Sequence, residues 1–536
     1  MIETDVVVVG AGPVGLAASI ELGMRGARVV LVERNSRVGV APRAKTTNVR
    51  TRTHLRRWGI AEHLAHEAPF GIDYPNNMVF VTRIGPGGHE LARFGNAFNA
   101  SPERDPRYPE HGQWVPQYKL EKVLLEKVRE LPNVEVRFDT SFVSAQEDDG
   151  GVTVTLRSDS DFQIRSAYMI GADGGRSAVR NLIGAKLEGQ HGLSHHYNII
   201  FRAPGMSTQH DFGPAAIYWQ IGKDGFSAVG PMDVDDLWFF SPGGAKPGTS
   251  LSDDQARSLI RERTGVDLPF EILSADSWTA SELLADKYAE GRIFLAGDAC
   301  HLHPPAGGYG MNMGVGDGVD LGWKIAAVLH GWGGDALLAS YEAERRPVHR
   351  AVMDEAMANY AIYVAPPPPE IEHDGPVGEA IRAKVGGGIQ ASKAREFRTL
   401  GTVLGLCYAD SPVLVEEGTA IPERDSQNYV PTARPGCLAP HAWLADGRSL
   451  YDLFGDGFTL LADTRADPAD VATAVTQASQ AGVPLKVIQL DDVDVAALYG
   501  ARLALVRPDQ HVAWRGDRWA AVLDVVTGRK AVARGA

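Results

Sequence analysis

The sequence predicts an α/β fold, and three separated stretches carry that prediction. Residues 5–24, 166–180 and 292–330 each join a short apolar run to a glycine-bearing turn and then to a helical pattern. Between them lie runs rich in β-branched and aromatic residues with turn signals, the pattern of an antiparallel sheet. From about residue 450 strands alternate with helices again, in a smaller unit.

The first stretch is the most specific. Val6, Val7, Val8 and Val9 form a β-branched run suited to a strand buried on both faces. It leads into Gly10, Gly12 and Gly15, spaced G-x-G-x-x-G, with Pro13 inside the motif. Helix formers follow over 16–24, and a second apolar run over 28–32 ends at Glu33. In a Rossmann-like βαβ unit the first glycine permits a tight turn and the second lets the backbone approach a pyrophosphate. The third lets the helix pack closely, and the free N–H groups at the helix start face the anion. Glu33 stands eighteen residues beyond Gly15, near the spacing of about 20 expected for a carboxylate on a ribose hydroxyl. Because the chain has 59 glycines, the glycine spacing alone says little. Strand, glycines, helix, second strand and acid together predict a dinucleotide site. Its N-terminal position, and the lack of a second copy for a separate nicotinamide domain, favour FAD over NAD as the resident group. Arg34 joins the cofactor-binding candidates but is no evidence for a 2′-phosphate.

At 536 residues the chain is expected to form two or three domains with ample core. Hydrophobic content of 44% and charged content of 22% fit a soluble globular protein. A net charge of −14 argues against a nucleic-acid partner. Cys300, Cys407 and Cys437, odd in number and without C-x-x-C spacing, suggest neither a disulfide framework nor a zinc site. No run approaches the ~18 apolar residues of a membrane span, and the cofactor strand begins at once, so a cytoplasmic setting is expected.

In chain order, the arginine-rich segment 34–57 reads mostly as a solvated helix face over 47–58. Arg43 is the exception, because Pro42 breaks the chain beside the expected dinucleotide. Residues 74–98 read as antiparallel strands, and an amphipathic helix is entered at Gln113–Leu120 and runs to about Leu131. Strands over 134–138 and 152–156 follow, with a hairpin turn at 148–151. The second anchor carries Asp173 where the first motif has its glycines. Residues 196–240 hold Tyr197, Phe201, Tyr218, Trp219, Phe226, Trp238, Phe239 and Phe240, mostly core, with one or two lining a pocket. In the third anchor a strand delivers Gly297 and Asp298. A Gly/Pro loop with His301, His303, Pro304, Pro305, Gly307, Gly308 and Gly310 then opens a helix over about 313–330. Helix patterning over 337–360 stops at the prolines of 366–369, and residues 395–440 read as linker and packing arm. In the last unit strands are expected at 458–462, 485–490, 503–506 and 512–514, with helices at 468–480 and 519–526.

Together the anchors resemble the single-component FAD-dependent aromatic hydroxylases, the group of para-hydroxybenzoate hydroxylase, phenol hydroxylase and the polyketide aromatic hydroxylases. The matching residues are Gly10, Gly12, Gly15 and Glu33; Asp173, Gly174, Arg176, Ser177 and Arg180; and Gly297, Asp298, Pro304, Pro305, Gly310, Met311 and Asn312. Tyr309 stands where many members carry glutamine. The resemblance implies a Rossmann-like (GR2-type) FAD-binding domain over 1–75, 105–187 and 286–365. An interleaved antiparallel-sheet substrate domain would occupy 76–104 and 188–285, and a linker and packing arm 366–440. Residues 441–536 resemble a thioredoxin-like appendage without redox cysteines, suited to dimerisation (a homodimer) or to packing that stabilises a lid.

Carried over, the resemblance puts the first motif and Glu33 on the ADP half of FAD, and Arg43 and Gln117 near the ribityl and phosphates. Asp298 falls on a ribityl hydroxyl, and Pro305 beside the reactive flavin edge. Asp173 falls where FAD and reduced nicotinamide binding meet, although a helix cap explains it equally well. The implied reaction is hydroxylation of a phenolic or polycyclic substrate with NADPH or NADH and O2, through a flavin C4a-hydroperoxide shielded from water. The helix near Asn312 would stabilise negative charge on the reduced ring. Tyr218, His303 and Tyr309 are candidate bases for a phenol. Baeyer–Villiger oxygenation on the same scaffold and a non-catalytic flavin sensor are the alternatives. His195, His196, His301 and His303 lack the spacing and third partner of a metal set, and the halogenase W-x-W-x-I-P segment is missing.

Overall fold

Val6–Val9 is the centre of a six-stranded sheet, and the rest of the flavin-binding half is built outward from it. The computed structural model describes residues 2–36, 44–222, 225–246, 248–361 and 367–530. Parallel neighbours flank the centre: Tyr168–Gly171 then Ile293–Leu295 on one side, Val29–Val32 then Val134–Arg137 on the other. A short antiparallel edge, Ala289–Glu290, closes one end. Parallel strands are covered on both faces, which is why they read as unbroken apolar runs.

Helix Pro13–Met24 packs on helix Gly310–Leu329 along Gly314, Gly318 and Gly322. A Cβ on Gly318 would stand 2.8 Å from the Ala18 nitrogen, and one on Gly322 2.3 Å from Glu21 Cβ. Glycines four apart lie on one helix face, so this stripe sets how closely the two helices approach. It thereby places the N-terminus of the second helix beside the glycine turn of the first motif, where Gly297 and Gly314 both meet Val14.

The second layer is an eight-stranded sheet in the order 301–302, 271–285, 187–202, 237–242, 225–233, 217–222, 78–81 and 90–94. Its ladders are antiparallel except where Ile217–Gly222 meets Met78–Val81. Helix Asp253–Thr264, opened by a Ser252 capping box and stopped by Gly265 in the left-handed region, covers one face. A smaller sheet pairs Ile2–Glu3, Asp161–Ser166, Gly151–Arg157 and Ser141–Asp148.

The C-terminal unit orders Leu485–Gln489, Phe458–Ala462, Leu503–Val506 and Val512–Gly516. The first pair is parallel across helix Pro468–Gln480, and the others are antiparallel. Its Arg507 reaches into the flavin-binding half and bonds Glu344 at 2.5 and 2.9 Å, Asp509 at 2.6 Å and Asp320 at 3.2 Å. Lys324 pairs with Asp320 at 2.7 Å and Glu344 at 2.6 Å. Three buried acids thus share two cations, and burial raises Asp320 to about 7.

Four expectations are corrected. The arginines of helix Val49–Arg57 are not simply solvated. Arg52 is buried on Glu110 (2.7 Å), Gln113 and the Ala61 carbonyl, while Arg57 pairs with buried Glu21, which also takes Arg25 and the Trp58 indole. Cys407 and Cys437 form a disulfide, because an antiparallel bridge brings the two positions together across thirty residues of sequence. The packing arm contains a 22-residue helix, Pro376–Phe397. Its glycines at 386–388 hide the helical pattern, yet Gly386 is where the helix closes on the Leu91 carbonyl. The last helix is only Leu523–Val526. Pro366 of the proline run lies outside the described residues. No helix among the described residues is long and apolar enough to cross a membrane.

Candidate active site

The glycine turn is shaped by what a side chain would strike. Gly10 has φ +104°, and a Cβ there would lie 2.4 Å from the Ala172 carbonyl oxygen. At Gly15 a Cβ would lie 1.9 Å from the Gly10 carbonyl oxygen. Nothing stands within 4 Å of a Cβ at Gly12, the N-cap of the helix that Pro13 opens. The position is open space in front of free N–H groups and a positive helix end, the geometry that suits a pyrophosphate. Glu33, at the end of the next strand, accepts the Ala11 N–H at 2.9 Å, so its carboxylate borders the same turn. Arg34 beside it is exposed, and Arg43 lies outside the described residues.

Gln117 starts helix Gln117–Arg129 and holds the chain at Ala44. Its side-chain oxygen accepts the Ala44 N–H at 3.2 Å, and its own N–H donates to the Ala44 carbonyl at 2.9 Å. Asp173 is spent on a helix start. It accepts from the Ser177 hydroxyl at 2.5 Å and from the N–H groups of Ala178 and Val179 at 2.7 and 3.2 Å. Arg180, on the same helix, donates to the carbonyls of Ala299 and Gly175, which ties the second anchor to the third.

In the third anchor Gly297 takes φ +63° and gives its N–H to Asp317, while Asp298 and Pro305 are exposed. Gly307 and Gly308 have positive φ and turn the loop into the helix that begins at Gly310, with Met311 half-buried. Asn312 joins that helix to the strand Thr46–Thr47. Its amide donates to the Thr46 and Gly308 carbonyls at 2.9 Å each, and its oxygen accepts the Asn48 N–H at 2.9 Å.

Of the proposed catalytic residues, His303 and Pro305 share the loop of the third anchor, while Tyr218 belongs to the second sheet. Tyr218 is on the sheet face under helix Asp253–Thr264, its hydroxyl donating to the Gly213 carbonyl at 2.5 Å. Strand alternation puts Ile217 and Trp219 on the opposite face, with Phe239, Met232 and Ile200, and Tyr118 of the flavin-binding half packs there. His303 has both ring nitrogens buried without a partner, and burial pushes it well below the usual imidazole range. It neighbours His301 and His349, whose rings stack at 3.7 Å and which each place Nε2 on Asp317. These ring nitrogens are close enough to share a cation, but Arg345 already answers the Asp317 charge at 2.8 Å. Tyr309 packs toward Met313, Val348 and Tyr408, away from the sheet.

Comparison with known families decides what this arrangement belongs to. The FAD binding domain family matches residues 3–356, and the aromatic-ring hydroxylase C-terminal family matches 432–533. The chain belongs to the FAD-dependent aromatic-ring hydroxylases. This hydroxylase is 32% identical to 2,4-dichlorophenol 6-monooxygenase of Delftia acidovorans, over 97% of its own length and 96% of that protein's. It is 33% identical to aklavinone 12-hydroxylase RdmE of Streptomyces purpurascens, over 97% and 96%. The rebeccamycin biosynthetic enzyme RebC with reduced flavin superposes with a TM-score of 0.89 at 33% identity, covering 99% of both chains.

The hydroxylase's own residues fit FAD on geometry alone. Gly12 leaves a cradle that a Cβ would enter, Glu33 borders it, and the Gly310–Leu329 helix presents its N-terminus behind the Pro305–Gly308 loop. The sequence reads Lys45 as one of the solvated basic residues of 34–57 and assigns no role to Thr46 or Asn48, because no periodicity or motif marks residues that are clasped by Asn312 or face the second sheet.

Proposed function

We propose that this hydroxylase inserts one atom of O2 into the ring of an electron-rich, phenolic compound, with NADPH or NADH as reductant. One observation carries the reading: Asn312 clasps the strand Thr46–Thr47 to the loop at Gly308, and Lys45 beside that strand rests on Phe239 of the sheet face that also carries Trp219. A flat ring held against that face meets the loop expected at the flavin edge. Bound FAD would supply the hydride acceptor and the oxygen-activating ring. The chain holds the pyrophosphate at Gly12 and the start of helix Pro13–Met24, turns the loop with Gly307 and Gly308, and directs a positive helix end toward charge on the reduced ring. Burial of the aromatic face excludes water.

Reduced nicotinamide would bind transiently, since only one glycine-turn βαβ unit with a ribose acid was found in the sequence. Interleaving is supported by Met78–Val81 and Glu90–Phe94 joining the second sheet from within the flavin-binding half. A thioredoxin-like reading of the last unit is supported by its parallel pair, connecting helix and antiparallel pair. It serves here as packing, docked through Arg507.

The test is NAD(P)H consumption by the FAD-loaded protein against phenols, aminoarenes and polycyclic polyketides, with peroxide and product assayed together. A stimulated rate and an intact ring one oxygen heavier are expected. A ring-opened product, or no stimulation by any compound, would overturn the reading.

A further inference from the structure

Lys45 presents an amino group with no carboxylate partner among the described residues. Its backbone is fixed on both sides: the Val115 N–H donates to its carbonyl at 2.9 Å, and the next residue, Thr46, is paired with Trp114 and clasped by Asn312. Its side chain leaves the flavin-binding half and ends with Nζ 3.8 Å from the centre of the Phe239 ring, on the sheet face opposite Tyr218. Among the described residues no carboxylate lies within ion-pair distance of Nζ. Asp233, the acid beside Leu237 on this sheet, is taken by the Tyr118 hydroxyl at 2.5 Å and by Lys119 at 3.5 Å. Burial lowers Lys45 to about 8, with no opposing carboxylate to raise it. With a ring face and no carboxylate against it, Nζ is placed to meet an anionic oxygen of a ligand.

We propose that Lys45 is the catalytic base and anion partner for the substrate hydroxyl. The proposal rests on the phenolic reading above. The phenol O–H bond breaks, its proton forms a third N–H bond on the neutral amine, and the electron pair stays on oxygen. An ammonium–phenolate pair then lies between the sheet and the loop, and the ring gains electron density where oxygen must be inserted. The substrate is therefore a phenol whose free hydroxyl points toward residues 44–48, and an otherwise identical methyl ether binds without this gain.

The experiment uses FAD-loaded wild-type protein, Lys45→Met and Lys45→Arg, each checked for FAD content and thermal unfolding. The probes are 4-nitrophenol, whose phenolate is coloured, and 4-nitroanisole, its methyl ether. Wild type is expected to lower the pKa of the bound phenol by about one unit or more and to prefer it to the ether by about tenfold. Lys45→Met should lose both effects. Lys45→Arg should keep the preference for the anion while turnover falls, because guanidinium cannot accept the proton. Equal ionisation of the bound probe in wild type and Lys45→Met would overturn the proposal. So would equal affinity of wild type for phenol and ether. If ionisation depends on Lys45 while no compound stimulates NAD(P)H oxidation, the anion site stands and the hydroxylase reading falls.

Discussion

The side-chain amide of Asn312 donates to the Thr46 carbonyl at 2.9 Å, fastening the first turn of the Gly310–Leu329 helix to the strand that lies across the site. The same side chain satisfies the Gly308 carbonyl and the Asn48 N–H, so one residue fixes loop, helix and strand together. Asn312→Leu keeps the volume and strands these groups. An unsatisfied buried group costs about 1–3 kcal/mol, and the variant is expected to lose roughly 2–4 kcal/mol in urea unfolding. Wild-type stability in this variant would show that the clasp contributes nothing.

Gly12 and Gly15 predict opposite outcomes for the same substitution. A Cβ at Gly12 meets no protein atom within 4 Å, whereas one at Gly15 would fall 1.9 Å from the Gly10 carbonyl oxygen. Gly12→Ala should leave apoprotein unfolding within about 0.5 kcal/mol of wild type, yet weaken FAD at least about tenfold, read by flavin fluorescence. Gly15→Ala must push the helix off its strand and should destabilise the apoprotein by about 1–3 kcal/mol or more. Equal apoprotein stabilities would contradict the close approach at Gly15.

Acid should weaken the fold through His349. Burial lowers this imidazole to about 3, although Asp317, which accepts from it at 2.8 Å, pulls the other way. Unfolded, the ring titrates near 6.5. Between those values the unfolded chain takes up a proton that the folded chain refuses. The stability is therefore fully present above about 6.5 and is lost as pH falls toward 3, by about 1.4 kcal/mol per pH unit for this one proton. His303, also depressed by burial, adds in the same direction. His349→Asn, whose amide can still donate to Asp317, should reduce the slope of unfolding free energy between pH 6 and 5 by about one proton. An unchanged slope would mean that His349 is protonated in the folded state.

The nucleotide-binding unit was legible because its signal is local: Val6–Val9, the three glycines and Glu33 are read within thirty-three residues, and each has a steric reason. The aromatic sheet was legible as a sheet but not as a surface. Alternation tells that Tyr218 and Trp219 face opposite ways, yet only the third dimension shows which face meets residues 44–48. Lys45 carries no sequence mark, since its environment comes from Phe239, almost two hundred residues away. Helix Pro376–Phe397 was hidden by its own glycines, and the Cys407–Cys437 bond by the absence of any motif that joins such distant positions.

Arg507 docks the C-terminal unit on the flavin-binding half, and removing it should separate effects on that interface from effects on the cofactor. Without the guanidinium, Asp320 and Glu344 would keep Lys324 within ion-pair distance, and Asp509 would keep His511 at 3.3 Å, itself lowered by burial. Breaking one partner out of a buried ionic cluster costs about 3–5 kcal/mol, and Arg507→Met is expected to lose that much. Because Asp320 and Glu344 lie on the two helices Gly310–Leu329 and Asp335–Tyr360, the loss should appear first as loosening of the C-terminal unit. Limited proteolysis should cut faster between residues 406 and 440 in the variant, while FAD stays bound at the glycine turn. Simultaneous loss of FAD and of proteolytic resistance would instead show that the cluster holds the flavin-binding half itself together.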